Sequence, residues 1–325
     1  MGRYPEADLS RLSLISVGER PTRMTVADLG TPAAGAEAAA WLARLPRQLA
    51  AERLRAAVDA VVAARAAGRP VVVLAGAHVI KVGVSPWLVR WLERGVATHL
   101  ALHGAGAIHD CELALFGGTS EDVEAHLHRG VFGMVRETGA FFFAAARAAA
   151  ARREGLGEAL GRALGEAQAP HAAHSLLAAA YRAGVPATVH VAFGTDTVHA
   201  HPEGDGAALG EATLRDFRIL AHSLAQARGA VVLNLGSAVI LPEVFLKALS
   251  VAVNLGAAAD GMTAVNLDQI QHYRPRVNLL ERPTQAAGGR GLDLTGHHEI
   301  LVPLLAEAVL ARLPAPGTGF ARTNP

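Results

Sequence analysis

The sequence predicts an α/β fold, with a doubly wound parallel sheet, helices on both of its faces and a helical insertion. Five short apolar segments alternate with helical patterns along the 325 residues. The segments VVVLA, VHVAF and VVLNL are almost continuously apolar, which is typical of parallel strands buried on both faces. Polar loops follow these strands. Because ligands bind at the carboxyl ends of the strands in such sheets, we expect the functional site at that edge.

The predicted elements follow one another in a regular order. An amphipathic helix over 45–67 ends at Gly68 and Pro70, just before the first strand. The helix after the first polar loop begins at Ser85 and Pro86, a good N-cap followed by a good first helical residue. Further helices are predicted at 174–183, 214–226, 244–253 and 299–313, and 268–296 is predicted to be irregular. The five strands are predicted at 71–74, 97–102, 187–192, 230–235 and 263–267.

Composition suggests the domain boundaries. Residues 1–45 show little periodicity and are expected to form an N-terminal arm. Residues 46–313 are expected to form a single α/β domain, in which the alanine-rich range 132–168 is a helical insertion. Its many arginines favour a solvated helical face. Residues 314–325 are expected to form a flexible C-terminal tail.

Charge and cysteine content narrow the function class. The 30 Lys and Arg against 29 Asp and Glu give a net charge of +1, which argues against nucleic acid and anionic membranes as partners. Cys111 is the only cysteine, so no intrachain disulfide forms. No signal-peptide pattern opens the chain, and no apolar run approaches the ~20 residues that span a bilayer. We expect a cytoplasmic protein that acts on a small molecule.

Two polar loops carry the first candidate residues. The loop at 76–83 contains His78 and Lys81, and its glycines would let the backbone approach a phosphate. A tight turn with a half-buried histidine explains the same pattern. Lys81 is suited to binding a phosphate or carboxylate, or to forming a Schiff base if its pKa is depressed. In the loop at 103–110, His109 and Asp110 could contact a ribose, a metal or a reacting proton, and Asp110 would equally serve as a helix N-cap.

A third loop, at 193–206, is rich in potential metal ligands. Imidazole suits zinc and manganese, whereas carboxylates suit harder ions. A divalent metal such as zinc or manganese is therefore an alternative cofactor, although solvated loop histidines give the same pattern. The ligand set would be His109, Asp196, His199 and His201.

Six segments in order carry a resemblance to the deoxyhypusine synthase family. They are AHVIKVG, HGAGAIHD, GTDT, VVLNLGSAV, AVNLD and HHEILVPLL. The resemblance implies a Rossmann-like sheet, NAD as cofactor and a homotetramer. By motif match it also implies which residues line the cofactor pocket: Ala77, His78, Gly83, Gly104, Gly106, Asp196, Asn266 and His297.

The chain departs from that family at the catalytic positions. The family's catalytic lysine follows the segment that AVNLD resembles, whereas this chain has no lysine after Lys247. We therefore expect an NAD-binding enzyme that acts on a small amine or hydroxyl substrate by hydride transfer, and not a true deoxyhypusine synthase. His103 or His109 would be the general base, and Asp110 or Asp196 would orient the substrate. A metal-dependent hydrolase and a non-catalytic binding relative are the alternatives.

Overall fold

A parallel sheet forms the centre of the computed structural model, which describes residues 6–33, 37–285 and 287–313. A short antiparallel ribbon of β1 and β4 lies apart from it, and the other six strands form the sheet in the order β5-β3-β2-β6-β7-β8. The strands are β1 (Thr22–Thr25), β2 (Val71–Ala75), β3 (His99–His103), β4 (Gly118–Glu121), β5 (Ala187–His190), β6 (Val231–Leu235), β7 (Thr263–Asp268) and β8 (Arg290–Thr295).

The strand order reverses between β2 and β6. Counted along the chain, the six strands lie in the order 3-2-1-4-5-6, and every neighbouring pair is parallel. Ala75 at the end of β2 is paired with Leu235 at the end of β6. The α/β fold with a doubly wound, Rossmann-like parallel sheet is therefore confirmed, and the reversal marks the crevice in which such sheets bind ligands.

Helices cover both faces of this sheet. The first group is α1 (Glu37–Arg44), α2 (Leu49–Ala66), α3 (Ala77–Lys81), α4 (Ser85–Glu93), α5 (Gly104–Phe116), α6 (Val123–Leu127) and α7 (Arg136–Arg152). The second is α8 (Leu156–Glu166), α9 (Leu176–Ala183), α10 (Gly206–Ser223), α11 (Ile240–Asn254), α12 (Tyr273–Pro275), α13 (Arg282–Gln285) and α14 (His298–Leu310). A π-helical segment, Arg276–Glu281, joins α12 to α13. None of the described helices is long and apolar enough to cross a membrane.

Alternate residues of the central strands enter two separate cores. Val71 and Val73 of β2 belong to the core that contains α2, α4, α8 and α14. Val72 and Leu74 belong to the core under α10 and α11. All five residues of β2 are buried, which is why this strand is apolar at every position and not only at every second one.

All five predicted strands are present, with bounds that differ by at most two residues. The prediction of an irregular segment at 268–296 is wrong, because it contains β8 together with α12, the π-helix and α13. Among the described strands, β8 pairs only with β7 and so forms an edge of the sheet. Its buried residues are Leu292 and Leu294, and Gly291 and Asp293 interrupt the apolar pattern that marked the inner strands.

Two predicted polar loops are helical, and the alanine-rich range is less solvated than predicted. Residues 77–81 form α3, and α5 begins at Gly104 directly after β3. In the range 132–168, the helices α7 and α8 are present, but Leu156, Leu160 and Leu164 of α8 are fully buried. Of the predicted arm at 1–45, the described residues include β1, which pairs with β4. The predicted tail at 314–325 lies outside the described residues.

Candidate active site at the carboxyl edge of the sheet

Two glycines meet where the strand order reverses. Gly76 follows β2 and donates its N–H to the carbonyl of Leu235, at 2.9 Å. A Cβ atom on Gly76 would lie 2.2 Å from the carbonyl oxygen of Gly236, which follows β6. Gly236 itself has φ +72°, a left-handed conformation that glycine adopts without strain. The backbones after β2 and β6 therefore touch, and side chains from the neighbouring helices surround this contact.

A pair of histidines lies beside these glycines. The Nδ1 atoms of His78, on α3, and His298, the first residue of α14, are 3.1 Å apart. Nε2 of His298 is 3.2 Å from the carbonyl oxygen of Leu267. A carbonyl only accepts, so His298 carries its proton on Nε2 and accepts on Nδ1 from His78. Burial lowers the pKa of His298, which keeps this ring neutral.

His103, the last residue of β3, lies against the first residue of α3 and the first turn of α5. Its Nε2 accepts from the backbone N–H of Ala77 at 3.1 Å, and its Nδ1 lies 3.4 Å from the backbone nitrogen of Gly106 in the first turn of α5. Burial lowers the pKa of His103 to about 4, so the ring is neutral near pH 7. Because Nε2 is engaged by the protein, His103 acts here as a cap and a brace for α3.

His109 ends a chain of buried polar groups. The hydroxyl of Thr119 donates its hydrogen bond to Glu112 at 2.5 Å. Nδ1 of His109 lies 2.7 Å from the same hydroxyl oxygen of Thr119. Because the hydroxyl has only one proton to donate, Nδ1 of His109 must donate to the Thr119 oxygen. Glu112 also accepts from the buried Arg20 at 2.7 Å. Burial lowers the pKa of His109 to about 4, and the nearby charge of Lys81 acts in the same direction. His109 is thus a neutral imidazole with its proton on Nδ1.

Asp196 and His199 bring two unsatisfied polar atoms to the start of α5. Oδ2 of Asp196 and Nε2 of His199 are 3.7 Å apart, and both are buried without a hydrogen-bond partner among the described residues. Burial raises the pKa of Asp196 to about 6, although the backbone N–H of Ala105 acts in the opposite direction. A Cβ on Gly104 would lie 1.9 Å from Oδ2 of Asp196, so glycine at 104 permits this approach.

Asp110 lies inside α5 and not in a loop. Its carboxylate accepts hydrogen bonds from the hydroxyl of Ser175 at 2.6 Å and from the backbone N–H groups of Leu176 at 2.7 Å and Leu177 at 3.0 Å. The predicted capping role therefore has a geometric basis, but the capped helix is α9. The predicted N-cap position of Asp110 on its own helix is wrong, because α5 begins six residues earlier, at Gly104.

The other predicted pocket residues have different surroundings. Ala77 begins α3, and Lys81 ends it with an exposed side chain. Gly83, at φ +77°, packs against the carbonyl of Asp28, which a Cβ would meet at 2.7 Å. Asn266 is fully buried and hydrogen-bonded to Asn234 and Gln271.

The histidine that contacts the site is one residue beyond the predicted one. The side chain of His297 is 63% exposed, whereas His298 is 2% exposed and contacts His78. The HH dipeptide marked this place in the sequence. The only sequence signal for choosing His298 over His297 was that the dipeptide begins a helix, because the start of the helix decides which of the two rings turns inward.

The alternative metal site does not form. No group of three or more side chains able to hold a metal ion comes together within residues 6–33, 37–285 and 287–313. His201 stacks on Phe143, with ring centroids 6.5 Å apart, and His109 contacts Thr119. Only Asp196 and His199 of the predicted set are close to each other. The predicted ligand set is therefore wrong as a metal centre, since two ligands do not enclose an ion.

Comparisons with known proteins bear on the fold. The sequence matches no protein-family model and no curated protein. A conserved protein from Methanococcus maripaludis S2 described as LOR/SDH is 13% identical, with 82% of this chain and 69% of that chain aligned at a TM-score of 0.51. Unliganded AgrE is 17% identical, with 82% of this chain and 34% of that chain aligned at a TM-score of 0.50. AgrE also forms a ternary complex with ornithine and NAD+, aligned at a TM-score of 0.48.

The resemblance to deoxyhypusine synthases stays remote. A protein from Entamoeba histolytica described as a deoxyhypusine synthase is 11% identical, with 75% of this chain and 76% of that chain aligned at a TM-score of 0.43. The chain spans about a third of the length of AgrE, 34%. At these identities the structural likeness establishes the Rossmann-like fold and does not identify the reaction.

Proposed function

We propose that this protein is an NAD-binding oxidoreductase that oxidises a small amine or hydroxyl substrate by hydride transfer at the carboxyl edge of its sheet. The observation that carries the proposal is the 3-2-1-4-5-6 strand order, with His78 and His298 in contact where that order reverses. Sheets of this order bind dinucleotides across that crevice, one mononucleotide in each half.

The residues of the first half fit the ribose of a dinucleotide. The first half contains β2, β3 and β5, and at its edge Asp196 and His199 each hold a buried polar atom without a partner among the described residues. Ribose hydroxyls both donate and accept, so they would satisfy a carboxylate oxygen and an imidazole nitrogen together. The turn after β2 has the sequence GAHVIK in place of a G-x-G-x-x-G fingerprint. In its place Lys81, exposed at the end of α3, offers a cation for phosphate.

The acid–base chemistry lies where the two halves meet, with His78 on α3 after β2 and His298 against the end of β7. NAD, when bound, accepts the hydride. His78 carries its proton on Nδ1, and its Nε2 has no hydrogen-bond partner among the described residues. It would take the proton of the substrate hydroxyl or amine as the adjacent C–H gives up its hydride, which leaves a carbonyl or an imine. His78 is favoured over His103 as the base because Ala77 occupies Nε2 of His103.

Asp110 is left out of this proposal because three donors engage its carboxylate. His109 keeps an unprotonated Nε2 and would serve as a second acid–base group.

The homo-oligomer, a tetramer by resemblance, is retained as part of the proposal. Light scattering of the purified protein measures its mass directly, and a monomer would contradict that part alone.

Equilibrium titration with NAD and NADH tests the cofactor. We expect saturable binding, and we expect Asp196→Asn to weaken it about tenfold, which corresponds to about 1.4 kcal/mol. His222→Ala is the matched control, because His222 is exposed near the end of α10 and lies at no predicted contact. No binding of either nucleotide at millimolar concentration would refute the proposal.

Turnover is measured separately, through NADH absorbance with a panel of small amines and alcohols. Binding of NAD without turnover of any panel member would favour the non-catalytic alternative.

A further inference from the structure

We infer that His298 is a positioning residue that fixes the tautomer of His78 and receives a proton from it. This inference rests on the proposed function, because it assigns His78 the role of base. Two hydrogen bonds of His298 support it, one to His78 and one to the end of β7.

The geometry fixes the direction of both hydrogen bonds. The ring of His298 is held at Nε2 by the carbonyl of Leu267, at 3.2 Å, and at Nδ1 by His78, at 3.1 Å. The two ring centroids are 5.2 Å apart and the planes are tilted by 59°. Since Nε2 of His298 donates, its Nδ1 accepts, and His78 must carry its proton on Nδ1. Nε2 of His78 is then the basic atom.

The ring of His298 is held firmly in place. A Cβ on Gly236 would lie 2.7 Å from Nε2 of His298, so the ring packs directly on the glycine backbone after β6. His298 is 2% exposed and is the first residue of α14. It therefore bridges the ends of β6 and β7 and the helix α3, which carries His78. Such a ring has little freedom to take other rotamers.

Charges around His298 favour a brief positive charge. Asp268 at the end of β7 has Oδ1 3.9 Å from Nε2, Glu299 lies beside it on α14, and His78 faces it from α3. Burial and the amino end of α14 disfavour the cation, so the resting ring is neutral. The two carboxylates favour the cation, which makes the ring a suitable temporary proton acceptor.

The proton step balances. Nε2 of His78 forms a bond to the substrate proton while the N–H bond at Nδ1 of His78 breaks, and that proton moves to Nδ1 of His298. His78 returns to a neutral ring with the opposite tautomer, and the positive charge rests on His298 beside Asp268. After product leaves, Nε2 of His78 releases its proton to solvent as the proton on Nδ1 of His298 returns to Nδ1 of His78, which restores the base.

Three substitutions separate positioning from proton transfer. His298→Asn keeps an oxygen near the Nδ1 position, so it can accept from His78 but cannot hold a proton. His298→Gln keeps a donor for the carbonyl of Leu267. His298→Leu removes both hydrogen bonds. His222→Ala is the control for loss of an exposed histidine, and thermal unfolding shows that each variant folds.

The primary readout is the tautomer of His78, measured from nitrogen chemical shifts of histidine-labelled protein without any ligand. We expect the Nδ1–H form in the native protein and in His298→Asn, and a shift toward Nε2–H in His298→Leu. An Nε2–H tautomer in the native protein, or no change in His298→Leu, would overturn the inference. Should His298→Leu fail to fold, the native tautomer alone still decides this point.

The second readout is turnover with the substrate that the panel provides. We expect His298→Asn to lower kcat about a hundredfold with KM within about twofold, the usual size of a general acid–base effect. Unchanged kcat in His298→Asn would refute proton transfer to His298. Absence of NAD binding with the tautomer intact would overturn the proposed function while supporting the positioning role of His298.

Discussion

Asp216 offers a quantitative test of how this protein responds to pH. Its carboxyl group lies within α10, fully buried, and accepts from the backbone N–H groups of Gly157 at 3.0 Å and Val189 at 2.7 Å. It thereby ties the start of α8 to β5. Burial raises the pKa of Asp216 to about 8, against the lowering effect of these hydrogen bonds. The native protein therefore holds this group protonated near neutral pH.

The direction of the pH effect follows from the two pKa values. The folded pKa of about 8 lies above the ordinary value of 3.8, so the native state binds this proton more tightly than the unfolded state. The resulting stabilisation is complete below about pH 4 and is lost as pH rises through 8. At about 1.4 kcal/mol for each pH unit, Asp216 lowers the free energy of unfolding by roughly 4 kcal/mol between pH 5 and pH 8.

Asp216→Asn separates this effect from every other titration. The amide keeps an oxygen for the two backbone donors and has no proton to lose, so its stability should lack the Asp216 contribution. Urea unfolding followed by circular dichroism at pH 5, 6, 7 and 8 gives the difference between the two proteins. Asp260→Asn is the control, since that side chain is 54% exposed. Equal pH slopes for Asp216→Asn and the native protein would show that Asp216 is ionised in the native state.

Three further predictions concern the edge of the sheet and its supports. Gly104→Ala would force Asp196 away from α5, because the added Cβ would lie 1.9 Å from Oδ2 of Asp196. We expect calorimetry to show about tenfold weaker NAD binding, and unchanged affinity would place the cofactor elsewhere. Glu112→Gln leaves Arg20 buried without its counter-charge, so we expect the free energy of unfolding in urea to fall by about 3–5 kcal/mol. A fall of less than about 1 kcal/mol would contradict the buried ion pair. Asp110→Ala should lower the free energy of unfolding in urea by about 2–4 kcal/mol and leave NAD affinity unchanged. Weaker NAD binding by this variant would show that Asp110 belongs to the cofactor site.

The inner strands could be predicted because burial on both faces leaves a continuous apolar segment in the sequence. Each is apolar at nearly every position, and burial on both faces is the reason, as β2 shows. The edge strand β8 has one buried face only, so Leu292 and Leu294 alternate with Gly291 and Asp293. That alternation was present in the sequence, but it is too short to separate a strand from an irregular polar segment.

The candidate site was predictable in position but not in its contacts. The rule that ligands bind at the carboxyl ends of parallel strands located the polar segments correctly. The sequence predicts loops at 76–83 and 103–110 because glycine and histidine interrupt the apolar period of a helix there. Only tertiary structure reveals that His103 accepts a hydrogen bond from Ala77 of α3 and that His298 contacts His78. Each of these two contacts joins residues far apart in the chain, and no local pattern encodes them.

The division of the edge gives the two proposals separate experimental signatures. Asp196 and His199 lie with the half of the sheet that contains β3 and β5, whereas His298 contacts the end of β7 in the other half. Gly76 and Gly236 meet between them. Substitutions at Asp196 should therefore change NAD affinity without altering the tautomer of His78, and substitutions at His298 should do the reverse. A single substitution that altered both would show that the two groups act as one network, and the assignment of one nucleotide to each half would then fail.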